Sequence, residues 1–193
     1  MKLYINNPPS QTINIIAQIN NIVNRLNELY SNAEQYNICT EENHKLRSET
    51  LPMYEEQEIK SANALSALES KKTKLTNAIK HIQPLQLVEK KKLQNELAEI
   101  ENQIGIYYNN YTRAKSSVGA IIQKITDNND FIDTHPLLST IHTHKQIIAK
   151  ELNPAIKQLS KLINIPLVTY EPTSMFYIEK YEIANEDKFE LEQ

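Results

Sequence analysis

Ten positions, Leu93, Leu97, Ile100, Ile104, Tyr107, Tyr111, Ala114, Val118, Ile121 and Ile125, follow one another in alternating steps of four and three residues. None is polar apart from the tyrosine hydroxyls. On a helix these steps return to one side every two turns, so the run describes a single seam. Held for more than four heptads, it predicts a helix on the order of 50 Å long, packed lengthwise by knobs into holes. Ile104 and Tyr111 sit at its middle and are expected in the core. Gly105 and Gly119 lie beside the seam, two heptads apart, where they would allow a close helix approach at about 1 kcal/mol each in helix propensity.

Two earlier stretches carry the partners such a seam requires. After Pro8 and Pro9, Ser10 is a plausible N-cap, and Ile15, Ile19, Ile22, Leu26, Leu29, Ala33 and Tyr36 form an apolar stripe widened by Ile16, Val23 and Tyr30. Residues 37–50 are polar and read as a frayed extension or connector. Thr50 and Pro52 mark a second helix, with Leu65, Leu68, Leu75, Ile79 and Ile82 on its apolar side, Lys72 interrupting them, and Pro84 at its end. Downstream, "DNNDF" reads as a helix break, because Asn and Asp bond to their own backbone. A short helix follows with Leu138, Ile141, Ile148 and Leu152 inward, then a second with Asn153 as N-cap and Pro154 at its first position. "KLYI" near the start and "PLVTY" and "MFYIEKYEI" near the end are rich in β-branched and aromatic residues, as a small terminal sheet would be, although Tyr177, Tyr181 and Ala184 also fit a helix.

Two glycines and eight prolines in 193 residues leave too few turns for a β fold. Cys39 is alone, which excludes a disulfide framework and agrees with a reducing compartment. With His44 five residues on, helix spacing separates the two, and Cys39 reads as a buried inert thiol. The start, "MKLYINNPPS", lacks a signal peptide's apolar stretch, and no apolar run reaches membrane-span length. The expectation is a chain that is cytoplasmic where it is synthesised. The wealth of Asn, Ile and Lys reads as the codon bias of an AT-rich genome.

Candidate chemistry concentrates in "DTHPLLSTIHTHK" (133–145), with three of the five histidines. On a helix His142 and His144 point about 200° apart, and His135 and His142 are separated axially by about 10 Å. Zinc sites on helices use pairs three or four apart. The segment therefore reads as helix-start and surface histidines, with Asp133 and Thr134 as N-caps before Pro136. "HPLL" shares only the histidine-proline start of the Fic motif, without the glycine-containing phosphate loop. No P-loop, dinucleotide fingerprint or nucleophile elbow is present. The expectation is no catalytic residue, no metal and no cofactor, with an enzyme site between His135 and Tyr181 as an alternative.

Charge is more informative. Between Lys71 and Lys92 lie seven lysines, His81 and one glutamate, around the turn at Pro84. Lys71, Lys72, Lys74, Lys90, Lys91 and Lys92 are the candidate contacts for an anion or an acidic partner. The formal charge of −3 gives no global pull toward nucleic acid. Past Glu171 the sign reverses, and the glutamate-rich "YIEKYEIANEDKFELEQ" resembles the C-terminal export signals of effectors delivered by bacterial type IV secretion systems. The resemblance is compositional and implies export to a host cell without an N-terminal signal, not a fold or an activity.

The fold class expected is mainly α: an elongated antiparallel three-helix bundle or coiled coil over 10–126, after an extended 1–9. Short helices over 127–165 and a helical or partly β segment over 166–193, ending in the acidic tail, complete it. The functional expectation is a non-catalytic protein–protein interaction protein, acting as adaptor, spacer or scaffold, with self-association as one version. The alternative is a membrane-surface module using the lysine tip, in the manner of crescent-shaped three-helix membrane benders.

Overall fold

The computed structural model describes residues 1–83 and 86–184 and divides into two compact units, Met1–Thr40 with Asp130 onward, and Glu41–Asn129. The elements are β1 (Lys2–Tyr4), α1 (Ser10–Lys45), α2 (Leu51–His81), α3 (Leu87–Thr134), α4 (Leu137–Ile147), α5 (Asn153–Ile163) and β2 (Glu182–Ala184). π-helical turns occupy Leu46–Thr50, between α1 and α2, and Ile148–Leu152, between α4 and α5. The mainly helical class and the small terminal sheet both stand as expected. Pro84 and the acidic tail from residue 185 lie outside the described residues.

The two π turns replace two expected helix starts. Leu51 and Asn153, the residues before Pro52 and Pro154, keep right-handed helical dihedrals. A proline inside a helix lacks its own N–H and crowds the carbonyl four residues back. The chain answers by widening one turn: the Leu51 amide reaches back to the Leu46 carbonyl and Asn153 to Ile148, five residues rather than four. The wider turn also corrects a drift in the sequence. From Ile148 the buried positions step by four to Leu152 and Ile156, and each step of four turns the face by about 40°. Residues 37–50 are therefore helical rather than a connector, and Asn153 caps nothing.

"DNNDF" does not break α3. The Asn128 side chain donates to Asn43 Oδ1 at 3.0 Å and to Glu42 Oε2 at 2.9 Å, and Asn43 donates to Asn129 Oδ1 at 2.9 Å. Side chains engaged there do not compete for their own backbone, so the helix continues to Thr134. The real break comes at Pro136, whose ψ of 122° is extended. Neither Asp133 nor Thr134 caps α4; the Thr134 hydroxyl donates to the Asp130 carbonyl.

In the first unit the α1 stripe is covered by α5, its preceding π turn and the extended C-terminal segment. Ile19, Val23, Leu26, Ile148, Leu152, Ile156 and Leu159 are fully buried. Leu138, expected inward, is exposed, and Ile147 is buried instead. The left-handed Asn164 ends α5, and the Ser160 hydroxyl ties the turn beyond it by donating to the Ile165 carbonyl and accepting from the Leu167 amide. The returning segment is held by three asparagine side chains that each bond both backbone groups of one residue: Asn20 with Tyr181, Asn27 with Ile178, Asn153 with Tyr170. β2 then pairs with β1 in parallel, Leu3 opposite Ile183.

The second unit is an antiparallel hairpin of α2 and α3. The expected seam is the face α3 turns inward, but only Ile100, Ala114 and Ile125 along it are buried. Ile104 and Tyr111, expected in the core, are half-buried, because within this unit two helices, not three, share the seam. A Cβ on Gly105 or Gly119 would meet no atom within 4 Å, so neither glycine serves a close approach.

Candidate functional site

The six lysines separate into two groups. Lys71 and Lys72, on α2, meet Glu96 at 3.2 Å and Glu101 at 2.8 Å across the hairpin. The second pair explains how a lysine interrupts the apolar side of α2: its stem lies on the seam and its ammonium ends on a carboxylate. Lys74, Lys90, Lys91 and Lys92 are exposed, and no described carboxylate lies within 4 Å of them. Folding the sequence back about Pro84 places residues 96 and 97 opposite Lys72 and Lys71, which brings Glu96 into range, whereas Glu101 lies about a turn further along and its pairing with Lys72 shows only in the fold.

Where the last turns of α1 meet α3, the hydrogen bond from Asn128, aided by Lys124 at 3.4 Å, holds the Glu42 carboxyl below the usual carboxylate range. With Asn43 and Asn129 this polar cluster ties the end of α1 to α3 in one register, the role a polar seam residue plays in coiled coils.

The histidines do not converge. His135 stacks on Phe131 with ring centroids 4.5 Å apart, and His142 meets Gln146 Nε2 at 2.6 Å. Among the described residues no three His, Cys, Asp or Glu side chains group to hold a metal ion. Cys39 is buried and accepts from Gln35 Nε2 at 3.4 Å.

His144 corrects the surface reading. It is 0% exposed, neither ring nitrogen has a partner at full hydrogen-bonding geometry, and its ring lies edge-on to Phe176 at 6.1 Å. Burial pushes its pKa below the ordinary histidine value, and a weaker pull from the Phe176 backbone offsets only part of that. The Tyr181 hydroxyl is buried and unpartnered too, its pKa pushed up to about 12, first by burial and then by neighbouring Tyr170.

Sealed in this way, His144 makes the stability of the fold depend on pH. The unfolded chain binds a proton near pH 6.5 while native His144 resists it. Stability should be full above about pH 6.5 and fall below it by up to about 1.4 kcal/mol per pH unit, until the native ring itself protonates. Urea unfolding of the wild type and of His144→Phe at several pH values tests this. The wild type should lose stability relative to the variant on acidification, and parallel curves would show that the ring is not kept neutral.

An open cleft of the first unit, about 570 Å³, lies between α1 and α4, lined by Tyr30, Glu34, Asn37, Ile141 and Lys145 and closed by 173–175 of the returning segment. Its polar groups are surface side chains of mixed sign, and it gathers no reactive group.

Sequence reasoning passed over one surface. Ile104, Tyr107, Tyr108 and Tyr111 lie at i, i+3, i+4 and i+7, so they are neighbours on α3. Tyr108 is 60% exposed and Tyr107 39%, with Ile104 and Tyr111 half-buried beside them. The Lys115 ammonium sits 5.6 Å from the Tyr111 ring centroid. The signal was present as three tyrosines in five residues, but Tyr107 and Tyr111 were absorbed into the seam.

Comparison with protein-family models, with curated proteins and with solved structures gives no significant match. No helix among the described residues is long and apolar enough to cross a membrane.

Proposed function

We propose that the chain is a non-catalytic helical protein–protein interaction protein, an adaptor, spacer or scaffold that presents the α2–α3 hairpin to a partner. The observation that carries this reading is the partly exposed patch of Ile104, Tyr107, Tyr108 and Tyr111 midway along α3. Tyrosine joins a large apolar body to a polar tip at little entropic cost and is enriched where proteins anchor on one another. A hairpin whose seam is only half-buried keeps apolar area available to a partner helix. Action in a host cell after export belongs to the same reading and rests on the glutamate-rich tail alone.

Affinity capture from cytosol with the wild type and with Tyr108→Ala is the test. Tyr108 is largely exposed, so the variant should keep its helical content while losing the captured protein by tenfold or more, as hot-spot truncations do. Capture that is unchanged removes the patch from consideration. Sedimentation of the pure chain at several loadings identifies a second copy as the partner if mass rises with concentration.

A further inference from the structure

The first turns of α3 carry a surface that the hairpin seam does not use. At 100° per residue, Leu93, Leu97 and Ile100 mark the direction of α2. Leu87, Val88, Lys91 and Lys92 fall on the opposite side, and Glu89 falls near the seam. Leu87 is 71% exposed and Val88 87%, although both are aliphatic. Lys91 and Lys92 are exposed beside them, Lys74 and Lys80 are exposed on the last turns of α2, and no described carboxylate lies within 4 Å of these four. Lys71 and Lys72, next along α2 beyond Lys74, are already neutralised by Glu96 and Glu101. Four lysines without a described ion-pair partner thus gather at the end of the hairpin where the aliphatic pair stands out.

We propose that this end of the hairpin docks on an anionic lipid bilayer, with Leu87 and Val88 entering the boundary between headgroups and acyl chains and Lys91 and Lys92 meeting the anionic headgroups. The chemistry of the patch selects a bilayer over other anionic surfaces. Lysine stems lie along apolar surface while their ammonium groups stay among the headgroups, and an aliphatic pair between them gains by leaving water. A nucleic-acid site grips with arginines and stacks bases on aromatic rings, and this end offers neither. The surface is separate from the tyrosine patch, so either assignment can fail without the other.

The test is co-sedimentation of the full chain with phosphatidylcholine vesicles prepared with and without phosphatidylserine. Two double variants are run alongside, Lys91→Glu with Lys92→Glu and Leu87→Ser with Val88→Ser, and circular dichroism checks that each keeps its helical content. The wild type should sediment with the phosphatidylserine vesicles alone. Each lysine near an anionic surface changes partition by roughly fivefold, so the charge reversal should lower it by about 25-fold or more. The serine pair should lower it by about tenfold. Wild-type binding that ignores phosphatidylserine overturns the proposal, as does full binding by either folded double variant. Protein left in the supernatant with either kind of vesicle, together with an RNA shift that depends on Lys91 and Lys92, would assign the patch to a polyanion instead and overturn it equally.

Discussion

Replacing Leu26 by alanine should lower the unfolding free energy by about 3–5 kcal/mol, the upper part of the range for deleting a buried leucine side chain. Leu26 is fully buried in the α1 stripe, against a core that includes Ile148, Leu152, Ile156 and Leu159. Helix backbones on one side and the returning segment on the other limit how far such a cavity can collapse. Ile104→Ala, at the centre of the most regular pattern in the sequence, should cost only roughly 1 kcal/mol, because a half-buried side chain leaves solvent where the methyl groups were. Urea unfolding followed by helical circular dichroism measures both. Equal losses would mean that the α2–α3 seam is covered as completely as the first unit's core, and a negligible loss at Leu26 would contradict its burial.

That contrast shows what a periodic sequence can and cannot say. The four-three alternation from Leu93 to Ile125 reports which side of α3 faces another helix, and α3 does turn that side inward. It does not report how many helices share the seam, because a stripe looks the same whether one or two partners cover it. The α1 stripe was equally legible, yet its cover comes from α5 and the C-terminal segment, residues more than a hundred positions away. No local pattern encodes a pairing at that separation.

The misreadings share one cause. Pro52, Pro154, Asn128 and Asn153 were each assigned the role that residue type plays when only its neighbours matter: helix start, break or cap. In the fold, a five-residue turn absorbs each of the two prolines, Asn128 bonds to Asn43 and Glu42 on α1, and Asn153 holds Tyr170. Propensity describes the isolated chain, and a tertiary partner for a side-chain amide outweighs it. The lysine cluster was legible as composition. Its division into neutralised and free members required the far side of the hairpin.

The asparagine clamps on α1 lead to the second large effect, expected for Asn27→Asp. Asn27 Nδ2 donates to the Ile178 carbonyl at 2.9 Å, and its Oδ1 accepts from the Ile178 amide at 2.9 Å. Asn20 treats Tyr181 in the same way, again with both bonds at 2.9 Å. Seven residues of helix rise about 10.5 Å and three residues of extended chain span about 10 Å, so amides two turns apart match backbone groups three residues apart. The two side chains thus offer the returning segment the donor and acceptor pairs a neighbouring strand would supply. Aspartate has the shape of asparagine but brings a second acceptor oxygen against the Ile178 carbonyl, leaving that carbonyl unpaired and the charge poorly placed. The expected loss is about 2–3 kcal/mol near pH 7, against roughly 1–2 kcal/mol for Asn27→Ala, which removes both bonds without adding a charge. Repulsion from the carbonyl raises the pKa of the introduced carboxyl in the folded state above its unfolded value near 4, so the variant's deficit relative to wild type should shrink as pH falls from neutral toward about 4, as the native aspartate takes up its proton and can donate again, and should level off below that. Hydrogen exchange at the Ile178 and Tyr181 amides should quicken in the variant while the α2–α3 hairpin keeps its protection. An Asn27→Asp protein as stable as wild type at neutral pH, with both amides still protected, would show that the segment is held by its apolar side chains alone.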